Sequence, residues 1–341
     1  MRVAMYYEND DVRLEEMQTP QVGRGELLVK VMASGICGSD VMEWYRVRKA
    51  PLVLGHEIAG DIVSVGEGVT KFKPGDRVFV SHHVPCGLCR YCRGGHETVC
   101  DQLRTTNFDP GGFAEFIRVP ELNVKNGVFV LPQKLTYEEG TFIEPLGCVV
   151  RGQRLAGSAE GKTVLVVGSG ITGLLHMKLA RAHGAQQVIA TDVVDNRLRA
   201  AERFGADVAF RAGGDVPDRV RERNRGKLAD LVITCTGAPA AIEQALRSVD
   251  SGGTALFFAP TEPGRAIQIP FNELWREEVA MLSSYGASPR DITASIQLLR
   301  TGDVEVLDMI THKLGLAETG KGFKLVAEAK DSIKVIIEPQ R

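Results

Sequence analysis

The chain has 341 residues, 44% of them hydrophobic and 25% charged, with a formal net charge of -2. This is an ordinary globular composition with room for two domains, and it provides no overall basic field for nucleic acid or an anionic membrane surface. Residues 1–8 carry one basic residue and an early acid in place of an export signal. The longest apolar stretch, 164–175, is interrupted by Gly168, Gly170 and Gly173 and is shorter than the about 20 residues that span a bilayer, so a soluble protein with small-molecule partners is expected.

The first half carries short apolar or alternating runs punctuated by glycine, such as Glu26-Leu27-Leu28-Val29-Lys30-Val31 and Gly75-Asp76-Arg77-Val78-Phe79-Val80. They predict an irregular, β-rich domain over residues 1–150. Within it, Cys37-Gly38-Ser39-Asp40 and Gly55-His56-Glu57 each set a metal-capable residue in a glycine-flanked turn. Taken singly, a cysteine is more often a small core hydrophobe and a histidine a satisfied polar group.

Cysteines number seven, and Cys86, Cys89, Cys92 and Cys100 fall within fifteen residues. An odd count at ligand-like spacing favours metal over disulfides, and a reducing, cytoplasmic setting. Four thiolates from one loop close a tetrahedral shell and leave no position for a substrate, which predicts a structural zinc, with Arg90 and Arg93 offsetting part of the charge. An iron–sulfur cluster is the competing reading. His82 and His83, just before the loop, read equally as solvated or substrate-facing.

From residue 161 the rhythm changes to strand, glycine turn, helix and strand: Thr163–Val167, then 173–183, 187–191 and 196–204. A strand at 230–234, a helix at 239–249 and a strand at 254–258 continue it. This α/β alternation predicts a Rossmann-type doubly wound parallel sheet over residues 151–287. Gly168-Ser169-Gly170-Ile171-Thr172-Gly173 falls between the first strand and its helix, the setting in which G-x-G-x-x-G binds a dinucleotide. Gly168 permits the turn, Gly170 lets backbone approach the pyrophosphate, and Gly173 lets helix pack on strand. Asp192, 19 residues after Gly173, can accept from a ribose 2′-hydroxyl and repel a 2′-phosphate, which favours NAD. Arg197 could instead receive such a phosphate. Ile171, Thr172 and Thr236 complete the expected cofactor contacts, and His176 reads as structural. A helix at 289–299 and a strand at 333–337 close the chain.

Gly55-His56-Glu57-Ile58-Ala59-Gly60, followed by Gly66 and Val69, resembles the zinc signature of medium-chain alcohol dehydrogenases, and the four-cysteine loop and glycine motif follow in that family's order. The resemblance spans essentially the whole chain. It implies a GroES-like catalytic domain over residues 1–150 and 288–341, a Rossmann domain over 151–287, and a pocket between them. It implies two zinc ions per chain, with Cys37, His56 and Glu144, in Ile143-Glu144-Pro145-Leu146, as catalytic ligands. Glutamate at this last position is the pattern of the sorbitol and polyol branch. It further implies that Glu57 can approach the metal, Asp40 orients His56, and Ser39 passes the substrate proton. Three protein ligands leave zinc an open position at which a hydroxyl ionises near neutrality, while the nicotinamide takes the hydride. Residues 278–285 resemble the edge strand through which family members pair, so a homodimer or homotetramer is expected.

Two positions depart from the pattern. Met42 stands where the family often carries a relay histidine, so proton exit needs Glu43, a nearby histidine or water. Ser284 precedes Tyr285 where sorbitol dehydrogenases carry arginine. Cys148, four residues past Glu144, is an alternative ligand read here as a core cysteine. Residues 44–49, with Arg46, Arg48 and Lys49, and residues 104–112 read either as exposed loops or as cleft walls meeting a substrate phosphate or carboxylate. The expected activity is oxidation of a secondary alcohol or polyol to a ketone. The competing readings are a dehydrogenase of an amino alcohol such as threonine or of a phosphorylated or acyl-linked alcohol, a zinc-free reductase, and a non-catalytic zinc-stapled dinucleotide sensor. Cys37, His56 and Glu144 together oppose the zinc-free reading.

Overall fold

The computed structural model describes all 341 residues, which divide into two units: residues 1–147 with 287–341, and residues 148–286.

In the first unit, apolar residues at alternate positions build antiparallel sheets. β1 (Arg2–Glu8) and β2 (Asp11–Glu16) form a hairpin, β3 (Leu27–Gly35) is a long inner strand, and β4 (Leu52–Val53) pairs with β1. β5 (Glu57–Val65), β6 (Arg77–Val80), β7 (Phe116–Val119) and β8 (Val128–Val130) follow. Leu27, Val29 and Val31 of β3 bury their side chains with Ile58, Ile62, Val78 and Ile117 in one core. Burial of each such side chain contributes about 1.5–3 kcal/mol, and a one-residue slip would turn the set outward. That register places Gly35 directly opposite Glu57.

The second unit is a parallel sheet of β9 (Thr163–Val167), β10 (Gln187–Asp192), β11 (Val208–Arg211), β12 (Ala229–Thr234), β13 (Val249–Phe257) and β14 (Ala280–Ser283). The spatial order is β11-β10-β9-β12-β13-β14, the doubly wound order, so the winding reverses beside β9. All five residues of β9 are buried, as a central strand covered on both faces requires. β14 lies at the edge of the sheet. Near it Phe271 and Trp275 are 67% and 68% exposed.

The chain re-enters the first unit through helix Pro289–Thr301, whose start is closed by a Ser288–Asp291 capping box and whose end is closed by Gly302 in the left-handed region. β15 (Ile310–Gly315) and β16 (Lys334–Glu338) follow, and β16 joins the free side of β3 with Ile336 opposite Gly35. Gly35 therefore has Glu57 on one flank and Ile336 on the other. Lys334, two residues from Ile336, shares its face.

Candidate metal centres and dinucleotide site

The antiparallel pairing of β3 with β5 brings the turn after β3 beside the start of β5, and this assembles the first candidate metal centre. Cys37 Sγ, a His56 ring nitrogen and a Glu57 carboxylate oxygen lie within 4.8 Å of one another. Asp40 is fully buried, accepts the Cys37 N–H at 3.1 Å, and places Oδ1 3.3 Å from His56 Nδ1. That contact leaves Nε2 to face the metal position. Burial works to raise the Asp40 carboxyl, but His56, Arg46 and the Cys37 N–H outweigh it and hold it below its ordinary value. Burial pushes His56 down, yet the charge and hydrogen bond of Asp40, helped by Cys37, hold it well above its ordinary value. Thiol, imidazole and carboxylate form a donor set that suits zinc.

Glu144 opens helix Ile143–Ala156, is half-buried, and lies outside this group of three donors. Cys148 sits one turn further along the same helix. Glu57 has a partner that the sequence reading did not anticipate: its Oε2 forms a buried ion pair with Lys334 Nζ. The available signal was a lone lysine inside the apolar run Ile333-Lys334-Val335-Ile336-Ile337.

Arg46, part of the basic segment 44–49, folds back towards the turn after β3. It ends the short helix Glu43–Arg46 and donates to both Ser39 and Asp40, with only 14% of its side chain exposed. The His82 ring lies tilted with its centre 4.7 Å from that of His56, and the His83 ring 3.9 Å from His82. Burial pushes His82 well down, reinforced by His83, His56 and Arg46. Burial, then the charges of His56, Arg46 and Lys49, lowers His83 to about 4, so both rings are neutral at pH 7.

The cysteine loop forms a separate cluster. Cys86 Sγ lies 3.6 Å from Cys100 Sγ and 3.9 Å from Cys92 Sγ, and Cys89 Sγ lies 3.5 Å from Cys92 Sγ. Thiolates bound about 2.3 Å from one tetrahedral ion stand about 3.8 Å apart, so the cluster has the dimensions of a single-ion site. The spacing is far too long for disulfides. The Leu88 and Cys89 N–H groups pull the Cys86 thiol down to about 6, while burial pushes Cys92 up to about 12.

In the second unit, Gly168 has φ +95 and Gly170 caps helix Ile171–Ala182. A Cβ on Gly173 would collide with the Gly168 carbonyl, so the turn admits only glycine there. Asp192 ends β10, and its two oxygens accept the Ser169 N–H at 2.8 Å and the Val194 N–H at 2.9 Å. It thus pins the glycine turn, and each oxygen keeps a second lone pair for a ligand. The Arg197 guanidinium reaches 4.0 Å from where a Gly170 Cβ would stand, beside the turn. Thr236 lies just past β12, its methyl 3.4 Å from the corresponding point on Gly168. His176 is buried against Gln153 and Phe258.

Comparison with known proteins bears on both units. Residues 23–131 match the alcohol dehydrogenase GroES-like domain, and residues 172–301 match the zinc-binding dehydrogenase family. The chain is 37% identical to the L-threonine 3-dehydrogenase of Pyrococcus abyssi, over 93% of this chain and 92% of that one. It is 30% identical to the sorbitol dehydrogenase of Bacillus subtilis, over 100% and 98%. The crystal structure of galactitol-1-phosphate dehydrogenase from Escherichia coli superposes with a TM-score of 0.88 at 27% identity, covering 99% of this chain and 100% of that chain.

Proposed function

The chain belongs to the zinc-dependent medium-chain alcohol dehydrogenases, and from that premise we propose that it oxidises a secondary alcohol or polyol to a ketone, with NAD as acceptor and two zinc ions per chain. The gathering of Cys37, from the turn after β3, with the buried His56 and Glu57 at the start of β5 carries this reading. Cys37, His56 and Glu144 are taken as the catalytic ligands, and the four cysteines as the structural set. Zinc held at the first site would supply the Lewis acidity that favours loss of the hydroxyl proton, and a bound nicotinamide would supply the hydride acceptor. Asp40 fixes the His56 ring, and Ser39 Oγ, oriented by Arg46, receives the substrate proton. Asp192 selects the ribose of NAD, with Arg197 as the group that would favour NADP.

Seven free cysteines support a reducing, cytoplasmic setting. No helix is long and apolar enough to cross a membrane. The exposed apolar side chains of Phe271, Trp275 and Met281 beside edge strand β14 support a homodimer or homotetramer.

A second reading, an alcohol bearing a carboxylate or phosphate, is favoured by the charges of Arg46 and Lys49 acting on His83 next to the metal centre. One experiment tests both: NADH formation with polyols, simple secondary alcohols, amino alcohols and sugar phosphates, with and without a zinc chelator. Chelator-sensitive turnover is expected, and its ranking separates neutral from anionic substrates. No turnover on the panel from protein holding two zinc ions would favour the non-catalytic reading.

A further inference from the structure

We propose that Asn123 is a positioning residue of the catalytic centre: it holds His82 and His83 beside the metal ligand His56 and so fixes a wall against which the alcohol lies. This rests on the reading of Cys37, His56 and Glu144 as the ligands of an alcohol dehydrogenase.

β6 ends at Val80, and residues 81–85 leave the sheet before the cysteine loop begins at Cys86. Backbone carbonyls that leave a ladder need other partners, and here side chains supply them. Asn123 Nδ2 donates to the Ser81 carbonyl at 3.0 Å and to the His82 carbonyl at 2.9 Å. Ser81 Oγ donates to the His83 carbonyl at 3.0 Å, and Asn126 Nδ2 donates to the Pro85 carbonyl at 3.1 Å. Asn123 and Asn126 lie on helix Glu121–Gly127, which is pressed onto the segment. Its Gly127 carbonyl accepts the Ser81 N–H at 2.8 Å, and a Cβ on Gly127 would collide with Val84.

Asn123 is 1% exposed, and its Oδ1 has no partner in the protein. An unpaired buried oxygen costs stability, so packing alone would favour an apolar side chain here. What asparagine adds is two amide hydrogens on one plane. The two carbonyls they meet belong to the Ser81–His82 and His82–His83 peptides, so one amide fixes the peptide planes on both sides of the His82 Cα. That sets the direction of the His82 ring, which lies 4.7 Å from the His56 ring, and through it the His83 ring 3.9 Å further on. The metal ligands are held separately: Cys37 and His56 follow the pairing of β3 with β5, and Asp40 fixes the His56 ring. Freed from Asn123, the two outer rings shift while the ligands stay. Asn123 thus acts on the alcohol through His82 and His83, and leaves the metal in place.

The test is zinc-loaded Asn123→Ala protein treated with diethyl pyrocarbonate, which acylates neutral imidazole, each modified histidine being identified by tandem mass spectrometry. His82 and His83 should react about ten-fold faster than in wild type, the factor implied by two lost buried hydrogen bonds, and His312 in the same unit should keep its wild-type rate. With the alcohol of the panel that turns over fastest, KM should rise about ten-fold at unchanged kcat and unchanged KM for NAD, with both zinc ions retained. A merely structural role would lower the melting temperature and leave both the His82-to-His312 rate ratio and KM where they were. Asn123→Asp keeps the shape but sets an acceptor against two carbonyls, and should reproduce the alanine effects. Wild-type behaviour in the aspartate variant, or unchanged His82 and His83 rates in folded Asn123→Ala protein holding both zinc ions, would overturn the proposal. If the alanine variant does not fold, Asn123→Ser, whose single hydroxyl hydrogen serves one carbonyl at most, is judged by the same rates. Wild-type protein that holds two zinc ions but turns over no alcohol would instead sink the dehydrogenase reading, while the histidine rates still decide the placement.

Discussion

Arg46 donates twice to Ser39: Nε reaches the carbonyl oxygen at 2.9 Å and Nη2 reaches Oγ at 3.1 Å. A guanidinium cannot lose its proton, so it occupies one Oγ lone pair permanently and leaves the hydroxyl hydrogen and a second lone pair for substrate. Arg46→Ala should lower kcat by about 100-fold through a misplaced hydroxyl, with zinc content unchanged. Arg46→Lys should fall between, because lysine lacks the fork that meets both oxygens. Steady-state kinetics decide this. Wild-type kcat with KM raised only for anionic alcohols would make Arg46 a substrate anchor instead.

Cys37→Ala and His56→Ala should each abolish turnover, leave NAD binding nearly intact, and reduce zinc content from two to one per chain. Metal analysis beside calorimetric NAD titration is the check, and retained activity in either variant would remove that residue from the site. Cys89→Ser is expected to divide the other way, lowering stability more than chemistry, since a closed shell stabilises the fold. A well-folded but inactive Cys89→Ser protein would contradict that division.

Asp192 bonds the backbone of its own glycine turn, so its removal has two separable effects. Asp192→Ala should move preference toward NADP, read as the ratio of kcat/KM for the two cofactors. It should also cost stability, about 1–3 kcal/mol for each buried N–H left unpaired at Ser169 and Val194. Asp192→Asn keeps an acceptor for one of those groups and should lose less stability. An unchanged ratio in both variants would shift cofactor choice to Arg197.

The elements legible in the sequence are those whose pattern is local. Thr163–Val167 sets four consecutive apolar residues before a glycine turn, and the strand has those bounds. The four cysteines need only short-range spacing. β11 and helix Val216–Arg223 escaped the reading because Val208–Arg211 is four residues long and the helix shows few apolar positions among its arginines and acids. β15 and helix Thr319–Glu328 were missed in the same way. Arg46 was legible as a charge but not as a donor to Ser39, because a basic residue in a loop has no periodicity to say which way it turns. The Glu57–Lys334 pair joins positions 277 residues apart and depends on strand register, which no local pattern records.

His176 gives the clearest pH signature in the second unit. It is fully buried, its Nδ1 stands 3.3 Å from Gln153 Nε2, and its ring meets that of Phe258 edge-on at 4.5 Å. Burial alone pushes it down to about 3, whereas the unfolded chain titrates near about 6.5. Below that value the unfolded state takes up a proton that the native ring refuses, so the contribution is fully present above about pH 6.5 and declines as pH falls toward about 3. Over that window this one group should cost about 1.4 kcal/mol per pH unit. Denaturant unfolding of wild type and His176→Leu between pH 7 and pH 5 isolates it, since the leucine variant keeps every other titrating group. The difference in stability between the two proteins should shift steadily in favour of the variant as pH falls. A pH-independent difference would mean that His176 takes up its proton in the native core at the same pH as in the unfolded chain, so that its burial carries no penalty.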